Sequence, residues 1–372
     1  MLFIALVDGC IEKYETPPSK YPVSYLVVDG FLDATKKSAE VKLSRTLALS
    51  DNEFIPLETG ATVTVEDQSG SFFKLDELKD GNYTASDLLI NSESKYRIHV
   101  VSAKGGEYHS DYVPVLTSPS LDSITWEPSS DGVTIYANSH GDDNETHSRF
   151  YKWNFVEVWE YTAAFFSYFR REGNVVIPRT PEENIYMCWL TEANTEILVG
   201  TTERLTDNIL SKARITFIPK GSLKLGRIFS ILVKQKAITE ESYNYWLQLQ
   251  KSTENLGGLF DPLPSQVLGN MHSEEDTAEP VLGYFAASTV EEKRIFIEFN
   301  ELPDDLLVVY NKTVCEQSVI PKEEVYTIGN KILLLPISPP GLPVSAYTMT
   351  TFECGDCTVR GGVTTKPDFW IR

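Results

Sequence analysis

Phe150-Tyr151-Lys152-Trp153-Asn154-Phe155-Val156-Glu157-Val158-Trp159-Glu160-Tyr161 is the stretch that decides the fold class. Its odd positions are Tyr151, Trp153, Phe155, Glu157, Trp159 and Tyr161, all aromatic except Glu157. A period of two places them on one face of a β-strand. Such a face can line a core or offer a platform on which sugar rings stack. Aromatic side chains bury so much area that the core reading is preferred. Shorter alternating runs surround it: Tyr25-Leu26-Val27-Val28, Ala61-Thr62-Val63-Thr64-Val65 and Lys95-Tyr96-Arg97-Ile98-His99-Val100. Turn residues such as Asp80-Gly81-Asn82 punctuate them, so the chain reads as mostly β.

Working outward, residues 22–116 read as a small β-sandwich of immunoglobulin or transthyretin type. Thr117-Ser118-Pro119-Ser120 is a linker, and 117–372 reads as a larger β-rich domain with one inserted α-helix near 239–256. Thr239 suits the N-cap, and Glu240 and Glu241 lie in the first turn, where the helix dipole favours acids. Tyr243, Trp246, Leu247 and Gln250 follow at helical spacing, and Gly257-Gly258 is a stop signal. The stiff segment Leu259-Phe260-Asp261-Pro262-Leu263-Pro264 comes next. Leu259, Phe260 and Leu263 either present apolar groups to a partner or fold back over the core.

At the N-terminus an apolar run, Leu2 to Val7, ends in Gly9-Cys10. A short apolar segment, a small residue and a Cys form the end of a bacterial lipoprotein signal. Residues 1–9 then read as a signal peptide, incomplete because no basic n-region precedes Leu2. Asp8 is unusual in that setting. Residues 10–21, with Pro17 and Pro18, read as a flexible tether whose Cys10 sulfur carries lipid. The alternative is an N-terminal strand with an ordinary buried Cys. No run approaches the ~18 apolar residues a membrane-crossing helix needs, so the membrane contact implied is an anchor.

The chain has 33 basic and 53 acidic residues, a net charge of −20, which argues against nucleic acid as a partner. Of five Cys, lipidation of Cys10 leaves an even set of four, Cys188, Cys315, Cys354 and Cys357. An even set in an exported chain favours disulfides. The Gly355-Asp356 turn suggests a Cys354–Cys357 bridge, and elimination leaves Cys188–Cys315. There is no G-x-S-x-G elbow, no H-E-x-x-H, no P-loop and no G-x-G-x-x-G, and no cofactor is implied. His140-Gly141-Asp142-Asp143-Asn144-Glu145-Thr146-His147 offers hard oxygens and two imidazoles. His140, Asp142, Asp143 and His147 could therefore hold a metal, although a polar loop tip between strands is the simpler reading.

Several separated segments form an ordered set: Cys10-Ile11-Glu12, Val28-Asp29-Gly30, Tyr151-Lys152-Trp153, Val233-Lys234-Gln235, Gly269-Asn270, Gly283-Tyr284-Phe285, Cys354-Gly355-Asp356-Cys357-Thr358 and Lys366-Pro367 with Phe369-Trp370. This set resembles a large family of Bacteroidota outer-membrane lipoproteins of unknown function. The resemblance spans nearly the whole chain. It implies anchoring at the cell surface through Cys10 and a SusC-like TonB-dependent transporter as partner, and it brings no catalytic residues. The expectation is a non-enzymatic accessory in capture or uptake of a nutrient of unknown identity. Alternatives are a glycan-binding or adhesion lipoprotein without a transporter, and a hydrolase using paired carboxylates.

Overall fold

The computed structural model describes residues 24–47, 56–141, 148–254, 267–307 and 315–370. Cys10, Asp142, Asp143, His147, Leu259, Phe260 and Leu263 lie outside the described residues.

The chain is mostly β. Its first strands are β1 (Leu26–Asp33), β2 (Ser38–Arg45), β3 (Thr62–Asp67), β4 (Phe72–Lys79), β5 (Asn82–Ala85), β6 (Lys95–Val101), β7 (Glu107–Ser110) and β8 (Val113–Leu116). Next come β9 (Ser120–Ser129), β10 (Gly132–His140), β11 (Phe150–Thr162), β12 (Phe169–Glu172), β13 (Val175–Pro178), β14 (Met187–Ala193), β15 (Leu198–Thr201), β16 (Ile209–Pro219) and β17 (Ile228–Ile238). Helix α1 (Glu240–Glu254) follows, then β18 (Met271–Ser273), β19 (Leu282–Ser288), β20 (Val290–Glu298), β21 (Ser318–Pro321), β22 (Lys331–Ile337), β23 (Ala346–Thr351) and the one-turn α2 (Phe352–Gly355).

Strand pairing in the first unit runs β6-β3-β4-β5-β2-β1-β19-β8 and returns to β6, so eight strands close into a ring. β7 and β18 extend outward from β6. Alternation packs Tyr96, Ile98 and Val100 of β6 into one core with Leu26, Val28, Leu43 and Phe285. The expected boundary at residue 116 needs correction, because the ring is completed by a strand from far downstream. β19 pairs in parallel with β1, from Val27 opposite Leu282 to Asp33 opposite Ser288. Parallel pairing needs a long crossover, so the partner need not be near in sequence. β19 is also covered on both sides, which erases the alternation that marks half-buried strands.

In the second unit β16-β10-β9 stands against a sheet of β14-β11-β17-β20, with β15 also paired to β11. The aromatic face of β11 is core: Tyr151 is 0% exposed and Trp159 5%, and both pack with Ile135, Ile231 and Val233. This disposes of the sugar-stacking alternative for that face. Glu157 shares it and is held by Lys224 Nζ at 2.5 Å. The opposite face of the sheet is sealed by Trp370, which packs with Val158, Trp189 and Ile228.

A third, small sheet of β21-β23-β22 packs on its own core, including Ile320, Leu333 and Tyr347. Two disulfides tie this end together, Cys188–Cys357 and Cys315–Cys354. All four cysteines are bridged, and the expected pairing is wrong. The chain leaves β23 in a helical turn rather than a β-turn. Asp356 is extended at φ −132°, which separates α2 from the next turn, starting at Cys357. The Cys357 amide donates to Ile185 O at 2.9 Å, just before β14, while Cys354 lies within α2, which packs on β22 and β23. The two sulfurs therefore face different sheets.

Candidate functional site

The first two units meet at residues 118–119, and polar side chains fix the joint. Ser118 Oγ donates to Thr289 O at 2.5 Å and accepts from the Ala237 amide at 2.8 Å. Gln235, fully buried, donates to Pro119 O (2.8 Å) and Ser139 Oγ (2.9 Å) and accepts from Trp153 Nε1 (3.0 Å). β17 ends here and turns into α1. Thr239 caps that helix as its sequence implies: its Oγ1 accepts from the Ser242 amide at 3.2 Å.

A cleft of about 460 Å³ opens between α1 and the first unit. Its walls include Tyr112 from the β7–β8 turn, Asn244, Tyr245 and Gln248 from α1, and Asn270 and Tyr284 from the β18–β19 region. Asn270 builds the floor. Its side chain donates to Phe285 O (2.9 Å) and accepts from the Phe285 amide (2.8 Å), acting as one residue of a strand beside β19. The backbones beneath approach so closely that only glycine fits. Gly283 sits at φ +116°, and a Cβ there would lie 1.8 Å from Val28 O. A Cβ on Gly269 would lie 1.5 Å from Gly283 O.

The phenols are held by burial and partners. Tyr245 is bonded to the Gly283 backbone, and burial, aided by Asp29, pushes its hydroxyl up to about 12. Tyr284 shares a hydrogen bond with Thr239 Oγ1 at 3.4 Å, and burial raises it as well. Their rings lie 5.4 Å apart. Both therefore stay protonated and able to donate near neutral pH. The two carboxylates at the rim, Asp111 and Glu241, are exposed.

Behind the cleft lies a second, smaller feature. Lys152 of β11 and Lys236 of β17 are direct cross-strand neighbours. Lys152 Nζ is 3.1 Å from the centroid of Trp246, and Lys236 Nζ is 3.5 Å from that of Phe31. Burial drives Lys152 down to about 7, partly offset by Asp29, and lowers Lys236 too. Like charges placed opposite each other are unfavourable, and aromatic faces partly compensate. The void they share with Asp29 and Tyr284 is only about 30 Å³, room for little more than a water molecule.

Of the residues expected to bind metal, only His140 is described. It ends β10 with Nδ1 2.7 Å from Asp122 Oδ1, an exposed pair on neighbouring strands. The cleft residues and the paired lysines were not singled out from sequence. Asn270 and Tyr284 gave one weak signal, since glycines adjoin both in Gly269-Asn270 and Gly283-Tyr284.

Two β-rich units bonded at one joint, with a polar cleft beside it and a disulfide-tied end, define a mostly β protein. The chain belongs to the DUF4249 family, a domain of unknown function, whose model matches residues 11–294. No curated protein matches it. Among solved structures, the two fibronectin type-III domain segment from chicken tenascin is 10% identical, covering 59% of this chain and 94% of that chain, with a TM-score of 0.17. The chicken interferon gamma receptor alpha chain is 9% identical, covering 58% of this chain and 90% of that chain, with a TM-score of 0.14. Among the described residues no helix is long and apolar enough to cross a membrane.

Proposed function

We propose that this chain is a lipid-anchored surface protein of the outer membrane that captures a small polar nutrient without chemically changing it. It would then pass the nutrient to a TonB-dependent transporter of SusC-like type. The observation that carries the capture step is the cleft beside α1. Its size suits a small ligand, and its wall mixes buried phenols with the amides of Asn244, Gln248 and Asn270. Those groups donate and accept hydrogen bonds without carrying charge, which fits a neutral polar solute. The anchoring and the transporter partner rest on Cys10 and the ordered sequence motifs. The four bridged cysteines agree with an oxidising compartment. An immunoglobulin- or transthyretin-like first unit would serve as the stand-off between lipid and cleft.

Tyr112, Tyr245 and Tyr284 also favour a sugar ring as the captured group, which keeps a glycan-binding role without a transporter as the second reading. Thermal unfolding with panels of monosaccharides, oligosaccharides, amino acids and short peptides tests capture. A true ligand at 100 times its Kd adds about 2.7 kcal/mol of stability. Asn244→Ala with Tyr284→Phe should abolish that shift. A panel with no stabilising member, or a shift unchanged in the variant, would count against the cleft.

A further inference from the structure

We propose that the outward edge of β6, β7 and β18 is a binding site for a divalent transition-metal ion, with zinc the best fit to its donors. Three of the chain's five histidines stand in one row there. His99 of β6 is directly opposite His109 of β7, and His109 is directly opposite His272 of β18. Direct opposition on adjacent strands puts the three imidazoles on the same face of the sheet. His272 arrives from more than 160 positions away in the chain, so the row is a product of the fold.

Carboxylates complete the donor set. One ring nitrogen of His99 and one oxygen each of Glu107 and Glu274 all lie within 4.8 Å of one another. His99 Nε2 is 4.0 Å from Glu107 Oε2, and His109 Nδ1 is 3.2 Å from Glu274 Oε1. That His109 nitrogen is buried beside the cluster and makes no hydrogen bond among the described residues. Backbone pairing holds the two acids together, since the Glu274 amide donates to Glu107 O at 2.9 Å.

Four donors around zinc at about 2.0–2.1 Å stand about 3.3 Å apart in a tetrahedron. The His99, Glu107 and Glu274 donor atoms, all within 4.8 Å of one another, supply three of the four corners and leave the fourth to a water molecule. One imidazole nitrogen and two carboxylate oxygens, with water as the fourth donor, make a set suited to zinc. An outer carboxylate is also in place, Glu66, whose Oε1 is 3.5 Å from His99 Nδ1. Carboxylates on the far side of a ligating imidazole fix its tautomer and orientation. The metal site does not depend on the capture role.

Calorimetric titration of zinc chloride into the purified full chain at pH 7.5 tests the proposal. The expected result is one saturable zinc per chain. His99→Ala and Glu274→Gln should each weaken it at least ~10-fold, the scale on which even outer-shell partners act. His140→Ala should change nothing. Cobalt(II) in the unaltered chain should give the intense visible bands of four-coordination, a readout that does not depend on any variant folding. Absence of saturable zinc uptake overturns the proposal. So does uptake indifferent to both ladder variants, loss only in His140→Ala, or a weak six-coordinate cobalt spectrum.

Discussion

Lys152 Nζ lies 3.1 Å above the ring of Trp246, joining the central strand of the second unit to the helix that walls the cleft. Directly across the strand pair, Lys236 makes the same kind of contact with Phe31 of the first unit. Among the described residues neither lysine forms an ion pair. Two cations placed back to back and shielded from water are costly, and their cost has a pH signature.

In the folded chain Lys152 sits at about 7, below the roughly 10.4 of an unfolded lysine. Between those values the unfolded chain binds more protons, so this group makes stability rise with pH across that window. Below pH 7 its destabilising effect is fully present. Lys152→Met should therefore raise the melting temperature relative to the unaltered chain more at pH 7 than at pH 10. Calorimetric scans of both proteins across that range check it, and a constant difference would refute it.

Glu157 is buried in the core face of β11, and burial raises its carboxyl despite Lys224 at 2.5 Å. Lys224→Met should cost about 3–5 kcal/mol at neutral pH, the usual effect of stranding a buried charge. The loss should shrink as the carboxyl protonates in acid. Glu157→Gln added to that variant should recover most of the stability in urea unfolding, while a double variant no better than the single would contradict this reading.

Peptide mapping without reduction should recover Cys188 linked to Cys357 and Cys315 linked to Cys354. Removing the first bridge by Cys188→Ala with Cys357→Ala should cost about 2–5 kcal/mol. Recovery of a Cys354–Cys357 peptide from native protein would refute the pairing.

Asn270→Ala would leave the Phe285 amide and carbonyl without their side-chain partners. The expected loss is about 2–4 kcal/mol, from two buried groups left unpaired. Hydrogen exchange should locate the effect at β19, and a uniform change across the chain would argue against Asn270 as the local clamp.

The parts legible in sequence were those set by local periodicity. Period two on β11 gave a strand and its buried face, and Thr239-Glu240-Glu241 gave the helix start at its true place. What escaped was set by contacts between distant residues. β19 lost its alternation because it is covered on both sides. The cysteines were misassigned because Gly355-Asp356 closes a helical turn that points Cys354 and Cys357 apart. His99, His109 and His272 carry no spacing signal, since only strand register aligns them. Tyr245 and Tyr284 reach the same cleft from a helix and a strand, a convergence no motif records.

The central claim, an anchored capture protein working with a transporter, is tested most directly by purifying the chain from the outer membrane of its native cells after mild cross-linking. The account predicts that it fractionates with membranes through Cys10, is released by Cys10→Ser, and carries a TonB-dependent β-barrel transporter in fixed proportion. Recovery of the chain from membranes without such a transporter would contradict the partnership, and unchanged membrane retention of the Cys10→Ser form would contradict the anchor.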